Sequence, residues 1–161
     1  MRSYIFLVFT IAFLSSCNTN VVTSEYKSLN GAVWNKDEIL QFNFSKLDTV
    51  QAYHMFINVR NDDTFPYSNL FLITSLSTPD GEVLQDTLEY NMALRDGTWL
   101  GKGSGSLKEN KLWYKENIVF PTSGVYTLEV SHAMRKNGNV QGVISLEGIT
   151  DVGLEITKSN P

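Results

Sequence analysis

The side chains able to carry chemistry are few and scattered. The chain has two histidines, His54 and His132, each inside an alternating apolar pattern and far apart along the chain. Without a third ligand or a His-x-His spacing they form no zinc signature, and an ordinary strand histidine is expected at both positions. The carboxylates Asp86, Glu89, Asp96, Glu129, Asp151 and Glu155 serve glycoside hydrolysis only as a pair held at controlled separation, which spacing along the chain does not supply. There is no Gly-x-Ser-x-Gly nucleophile elbow. Gly101-Lys102-Gly103-Ser104-Gly105 imitates a phosphate loop but lacks its Gly-Lys-Ser/Thr ending, and no helical pattern follows to offer an anion-binding N-terminus. Glycine at every second position instead bares one face of an extended segment, on which Trp99 or a ligand can lie. The expectation is no enzyme, no cofactor and no metal.

The remaining reactive group is the thiol of Cys17, the only cysteine. Arg2, the apolar run from Tyr4 to Leu14 and the small residues Ser15 and Ser16 make a secretory signal. The run is shorter than the ~20 residues a bilayer crossing needs. Leu14-Ser15-Ser16-Cys17 resembles the lipobox of bacterial lipoproteins, in which the cysteine thiol receives a diacylglycerol and the cysteine becomes the new N-terminus. Each buried CH₂ contributes ~0.8 kcal/mol, and stable anchoring takes two or more acyl signals; a lipoprotein cysteine carries several chains. The membrane, reached through lipidated Cys17, is thus the first expected partner. Asn18 rather than an aspartate follows, which by resemblance to the sorting rule of enteric bacteria implies the outer membrane. Residues 18–24 hold no acidic cluster of the kind that exports lipoproteins to the surface, so the periplasmic face is expected. With no second cysteine there is no disulfide.

These groups must be positioned by strands. Leu40, Phe42 and Phe44 alternate with polar residues, as do Tyr53, Met55, Ile57 and Val59, then Tyr126, Leu128, Val130, His132 and Met134, and finally Val152, Leu154 and Ile156. Leu70 to Leu76 is a short apolar run, Val83 to Leu94 reads as extended, and a further strand surrounds Trp113 and Ile118. Thr78-Pro79-Asp80-Gly81 is a turn, because proline presets φ and glycine takes the left-handed position. Lys136-Asn137-Gly138-Asn139 is a second turn. No amphipathic helix follows the signal, so no crossover helices exist for a parallel sheet. The predicted fold is all-β, an antiparallel β-sandwich of jelly-roll or Greek-key type. The predicted divisions are a signal peptide over 1–16, a lipidated tether over 17–30, and one sandwich domain over 31–161. A net charge of −4 with scattered lysines and arginines argues against nucleic acid as a partner.

One ordered series of segments goes further: Arg60, Pro66-Tyr67-Ser68-Asn69-Leu70, Asp86-Thr87-Leu88, Gly97 through Gly103, Gly124-Val125-Tyr126, Ala133-Met134-Arg135 and Asp151-Val152-Gly153-Leu154. Behind a lipobox, this series resembles the gliding-motility lipoprotein GldH family of Bacteroidota. The resemblance implies a non-enzymatic envelope lipoprotein needed for gliding, whose apparatus is tied to type IX secretion, with protein partners in that machinery. Two readings follow. One is an anchored assembly protein. The other is a module holding a glycan or peptide in a groove near Tyr67, Trp99 and Arg135. Arg60, Tyr67, Asn69, Trp99 and Arg135 are the candidate contact residues. The arginines have a plainer alternative, since an arginine at a strand end commonly clamps a loop carboxylate.

Overall fold

The computed structural model describes residues 20–159. Cys17 and the expected signal peptide lie outside the described residues. Ten strands run in chain order: β1 (Val21–Ser28), β2 (Val33–Asn35), β3 (Leu40–Phe44), β4 (Ala52–Asn61), β5 (Asn69–Ser77), β6 (Val83–Asn91), β7 (Lys108–Val119), β8 (Tyr126–His132), β9 (Ser145–Glu147) and β10 (Ile149–Lys158). Two four-stranded antiparallel sheets, β1-β10-β4-β7 and β3-β8-β5-β6, face each other, and β2-β9 forms a small ribbon. Five pairings nest inside one another: β5 with β6, β4 with β7, β3 with β8, β2 with β9 and β1 with β10. The chain is therefore one long hairpin folded over on itself. Two further pairings, β10 with β4 and β5 with β8, join the layers of the hairpin into sheets. This order is that of a jelly roll.

The alternations do what a period of two requires. Met55, Ile57 and Val59 of β4 and Val152, Leu154 and Ile156 of β10 point inward from one sheet. Phe42, Leu72, Leu128 and Val130 meet them from the other, and all are buried. The run from Leu70 to Leu76 also alternates, with Leu70, Leu72, Thr74 and Leu76 buried and the residues between them half-buried. Its hairpin to β6 closes at the expected turn, where Gly81 has φ +91 and its N–H donates to the Thr78 carbonyl at 3.1 Å. The expected Asn137-Gly138 turn also forms, with Gly138 at φ +84, but only the bridge between Arg135 and Gly142 flanks it. Among the described residues no helix is long and apolar enough to cross a membrane.

The expected tether needs correction. Val21–Ser28 is not free chain but edge strand β1, paired with β10 from Val21 opposite Thr157 to Ser28 opposite Asp151. Its inward row, opposite Ile156, Leu154 and Val152, is Thr23, Glu25 and Lys27. Glu25 and Lys27 pair at 3.2 Å, and the Lys27 ammonium sits 5.5 Å from the Phe42 ring centroid. Inward charges on an edge strand discourage pairing with another sheet, and they also erase the hydrophobic alternation. The domain therefore begins ten residues before the boundary predicted at residue 31, at Val21.

The two ends of the sandwich differ. At the base lie the start of β1, the end of β10, the loop 45–51, the hairpin 78–82 and the segment 120–125. At the crown lie the loops 62–68, 92–107 and 133–144 and the β2-β9 ribbon, whose fully buried Trp34 and Leu146 close that end of the core.

Candidate functional site

A groove opens at the crown. It encloses about 690 Å³ between Pro66, Tyr67, Ser68 and Asn69 on one side and Arg135 to Asn139 on the other, over Phe71 and Met134. The first wall is built locally. Asp62 Oδ1 accepts the Thr64 N–H at 2.8 Å, and the Asp62 N–H donates to the Gly148 carbonyl at 2.9 Å. Gly148 sits at φ +82, and a Cβ there would lie 2.1 Å from the Phe65 nitrogen, so only glycine lets the 62–65 loop close against β10. Phe65 is buried and meets the half-buried Tyr67 ring edge-on at 5.8 Å. The floor is held by Met134, whose Sδ accepts the Phe71 N–H at 3.2 Å. Asn69 donates to Glu89 Oε1 at 2.9 Å. Among the described residues, Arg135 and Lys136 form no ion pair, so their charges face the groove mouth unneutralised.

Of the candidate contact residues, Tyr67, Asn69 and Arg135 thus come together. Trp99 does not line the groove; it lies behind it, its ring 6.2 Å from Phe65. Neither does it cover the nearby glycines, which are not on a strand and serve three separate purposes. A Cβ on Gly101 would meet the Asn110 amide at 2.8 Å, one on Gly103 would meet the Leu107 carbonyl oxygen at 2.4 Å, and Gly105 supplies a φ of +75 in open space.

Arg60 stands on the outer face of the β1-β10-β4-β7 sheet. Its Nε donates to Glu109 Oε2 at 2.9 Å, and its guanidinium lies 4.3 Å over the Tyr26 ring. The Tyr26 hydroxyl donates to Glu109 Oε1 at 3.0 Å. Burial first, and then that hydrogen bond to a carboxylate, push the Tyr26 phenol up to about 12. The carboxylate expected near Arg60 therefore exists, but on the neighbouring strand β7 rather than on a loop. Further along the same face, Lys111 bonds Glu155 Oε1 at 2.6 Å and lies 4.1 Å over the Phe56 ring. Trp113, 53% exposed, packs 4.4 Å from Phe56 and 5.1 Å from His54. Period-two alternation alone places His54 and Phe56 outward. Their meeting with Trp113 depends on the register between β4 and β7, which no local signal carries.

The two histidines occupy separate elements. The His54 Nδ1 accepts the Asn117 N–H at 3.2 Å. His132 is buried, with Nε2 3.1 Å from the Trp34 carbonyl. A carbonyl only accepts, so Nε2 carries the proton, and Nδ1 is left to accept from the Met134 N–H at 3.5 Å. Burial holds the His132 imidazole below its ordinary pKa. The carboxylates are engaged one at a time: Asp86 with Lys115 at 2.9 Å, Asp151 with Ser28 at 2.6 Å, and Asp96 with the Thr98 N–H at 3.0 Å. Among the described residues no three metal-ligating side chains gather. The arrangement offers surfaces for binding: a cationic, partly apolar groove and an aromatic sheet face.

Comparison with known proteins agrees with the residue series. The family model described as GldH lipoprotein matches residues 21–156. The chain is 49% identical to the gliding motility lipoprotein GldH homolog of Christiangramia forsetii over 98% of this chain and 96% of that protein. It is 42% identical to the gliding motility lipoprotein GldH of Flavobacterium johnsoniae over 96% of this chain and 95% of that one. Among solved structures, the infectious bursal disease virus VP2 subviral particle aligns at TM-score 0.40 and 13% identity, with 85% of this chain covering 33% of that one. With the match running from the first residue of β1 into β10, the chain belongs to the GldH lipoprotein family.

Proposed function

We propose that this protein is a non-catalytic component of the gliding and type IX secretion machinery. Cys17 carries its lipid anchor, and its jelly roll stands on the periplasmic face of the outer membrane. Family membership over the whole sandwich carries the proposal. The site chemistry supports it: the carboxylates Asp86, Asp151 and Glu155 and the histidines are taken up by contacts within the fold, while the crown groove is built and open. In a gliding host, deletion of the gene is expected to abolish spreading or to impair export of type IX cargo. Restoration by the wild-type chain, but not by Cys17→Ser, supports anchoring. A purified domain that turns over a polysaccharide or peptide, and loses that activity on changing Asp96 or Asp151, would refute the non-catalytic reading.

A second reading is favoured by the convergence of Tyr67, Asn69 and Arg135 in one groove: a module that holds a glycan or an acidic peptide. Native-membrane crosslinking through the groove separates the two, since an adduct with a folded envelope protein supports the first and a released saccharide or short peptide the second.

A further inference from the structure

The exposed aliphatic side chains gather at the two ends of the sandwich. At the base Val22, Val50, Val83, Leu84, Val119 and Val125 are all more than a third exposed, with Val50 reaching 84%. These come from four separate parts of the chain that the fold brings to one end. The hairpin 78–82 and the segment 120–125 touch there: a Cβ on Gly124 would lie 2.7 Å from the Pro79 Cβ. The end is not basic, because the charged residues in its loops and at the close of β10 are Lys46 and Lys158 against Asp48, Asp80 and Glu82. Anionic lipid therefore has nothing to attract it here, whereas apolar insertion does not depend on charge.

The crown exposes aliphatic residues too, such as Leu94, Val140 and Ile144, so exposure alone does not choose between the ends. The chain's path does. Asn20 is already in the sheet, its carbonyl accepting the Lys158 N–H at 2.8 Å. Only Asn18 and Thr19 separate it from Cys17, and three Cα steps span at most about 11 Å. The crown lies a strand length of ~30 Å beyond, at ~3.3 Å per residue. A lipid on Cys17 can bring the base to a bilayer while the crown stays out of its reach.

We propose that the base is a membrane seat: the loops 45–51, 78–82 and 120–125 rest on the lipid surface with Val50, Val83 and Val125 inserted at the headgroup boundary, and the crown groove points away from it. This rests on the anchor at Cys17. It turns a freely swinging domain into an oriented one, with the groove held a fixed height above the bilayer.

The test uses the full chain, acylated in a lipoprotein-processing host and reconstituted into zwitterionic phosphatidylcholine vesicles containing lipids with brominated acyl chains. Acylation occupies the only native thiol, so a fluorophore can be placed on one introduced cysteine at a time. Labels at Val50→Cys and Val125→Cys are expected to lose fluorescence to the bromines, and labels at Leu94→Cys and Val140→Cys to keep it. Equal quenching at both ends, or none at the base, overturns the seat. Vesicle flotation and the mass of the N-terminal peptide read the anchor separately. A chain that floats and is acylated but stays unquenched at the base disproves the seat alone; a chain that neither floats nor carries acyl groups disproves the anchor and the seat together. In a second variant, Val50→Asp with Val125→Asp, the acylated chain is expected still to float while a label at Val83→Cys loses its quenching. Quenching retained there also overturns the proposal.

Discussion

Gly153 shows how one side chain's absence shapes a surface. A Cβ at this position would lie 2.8 Å from Tyr26 Cδ1 and 2.9 Å from the Glu25 carbonyl oxygen, so the tyrosine lies over bare backbone and beneath the Arg60 guanidinium. Gly153→Ala is expected to cost ~1–3 kcal/mol by overpacking, read as a lowered midpoint in thermal melts; an unchanged midpoint would show that Tyr26 moves aside freely. The Tyr26 phenol provides a second reading of the same cluster. Its pKa of about 12 in the folded chain exceeds the ordinary 10.0, burial being the larger cause and Glu109 the next. The folded state therefore holds the proton more tightly. That contribution to stability is complete below the ordinary value and is lost as pH rises through the folded one. Glu109→Gln removes the carboxylate charge, so the Tyr26 midpoint in an absorbance titration is expected to fall. At this scale the sequence was partly legible: Arg60 is visible as a strand-end arginine in want of an acid, but its partner is 49 positions away.

Among the elements, β1, β2 and β9 are the ones local reasoning misses. β2 has three residues, too few to show a period, and is held by the His132 contact to the Trp34 carbonyl and the edge-on packing of their rings at 5.5 Å. Burial lowers the His132 pKa from 6.5, and the Trp34 hydrogen bond opposes it more weakly. A depressed folded pKa means that the stability is complete above 6.5 and declines as the pH falls below it toward the folded value. The melting temperature is expected to drop between neutral pH and ~pH 5, and to drop less in His132→Gln. An identical pH dependence in the variant would remove His132 as the cause. For β1, truncation of residues 20–28 strips one of the two partners of β10, leaving β4, and bares an edge from Asp151 to Thr157 above Val152, Leu154 and Ile156. An exposed apolar edge pairs with other chains, so the truncated domain is expected to self-associate in sedimentation runs. A truncated domain that stays monomeric and equally stable would show β1 to be dispensable.

For the whole molecule, the nested pairing decides what the surface can do. It carries the loops 62–68 and 133–144 to one end, which makes a groove from residues nearly seventy positions apart. Arg135→Glu and Lys136→Glu alter exposed groove positions, so they are expected to abolish crosslinking to an envelope partner while shifting stability by less than ~0.5 kcal/mol in chemical denaturation. Variants that lose the partner only in proportion to lost stability would assign both residues to the fold. By itself the sequence determined the inward rows of β3, β4, β8 and β10, the Pro79-Asp80-Gly81 turn and the family series. Each of these is written in neighbouring residues: burial on a pleated strand repeats every second position, and a turn needs its own glycine. Only the tertiary structure decided which strands pair, that Val21–Ser28 is a strand rather than a tether, that Trp99 stands behind the groove and Arg60 on another sheet, and that the chain enters at the end opposite Tyr67 and Arg135. The contacts behind these outcomes join residues as far apart as Ser28 and Asp151, 123 positions along the chain. They are chosen collectively when two inner faces close on one core, and an edge strand covered on one side only need carry no apolar alternation to announce itself.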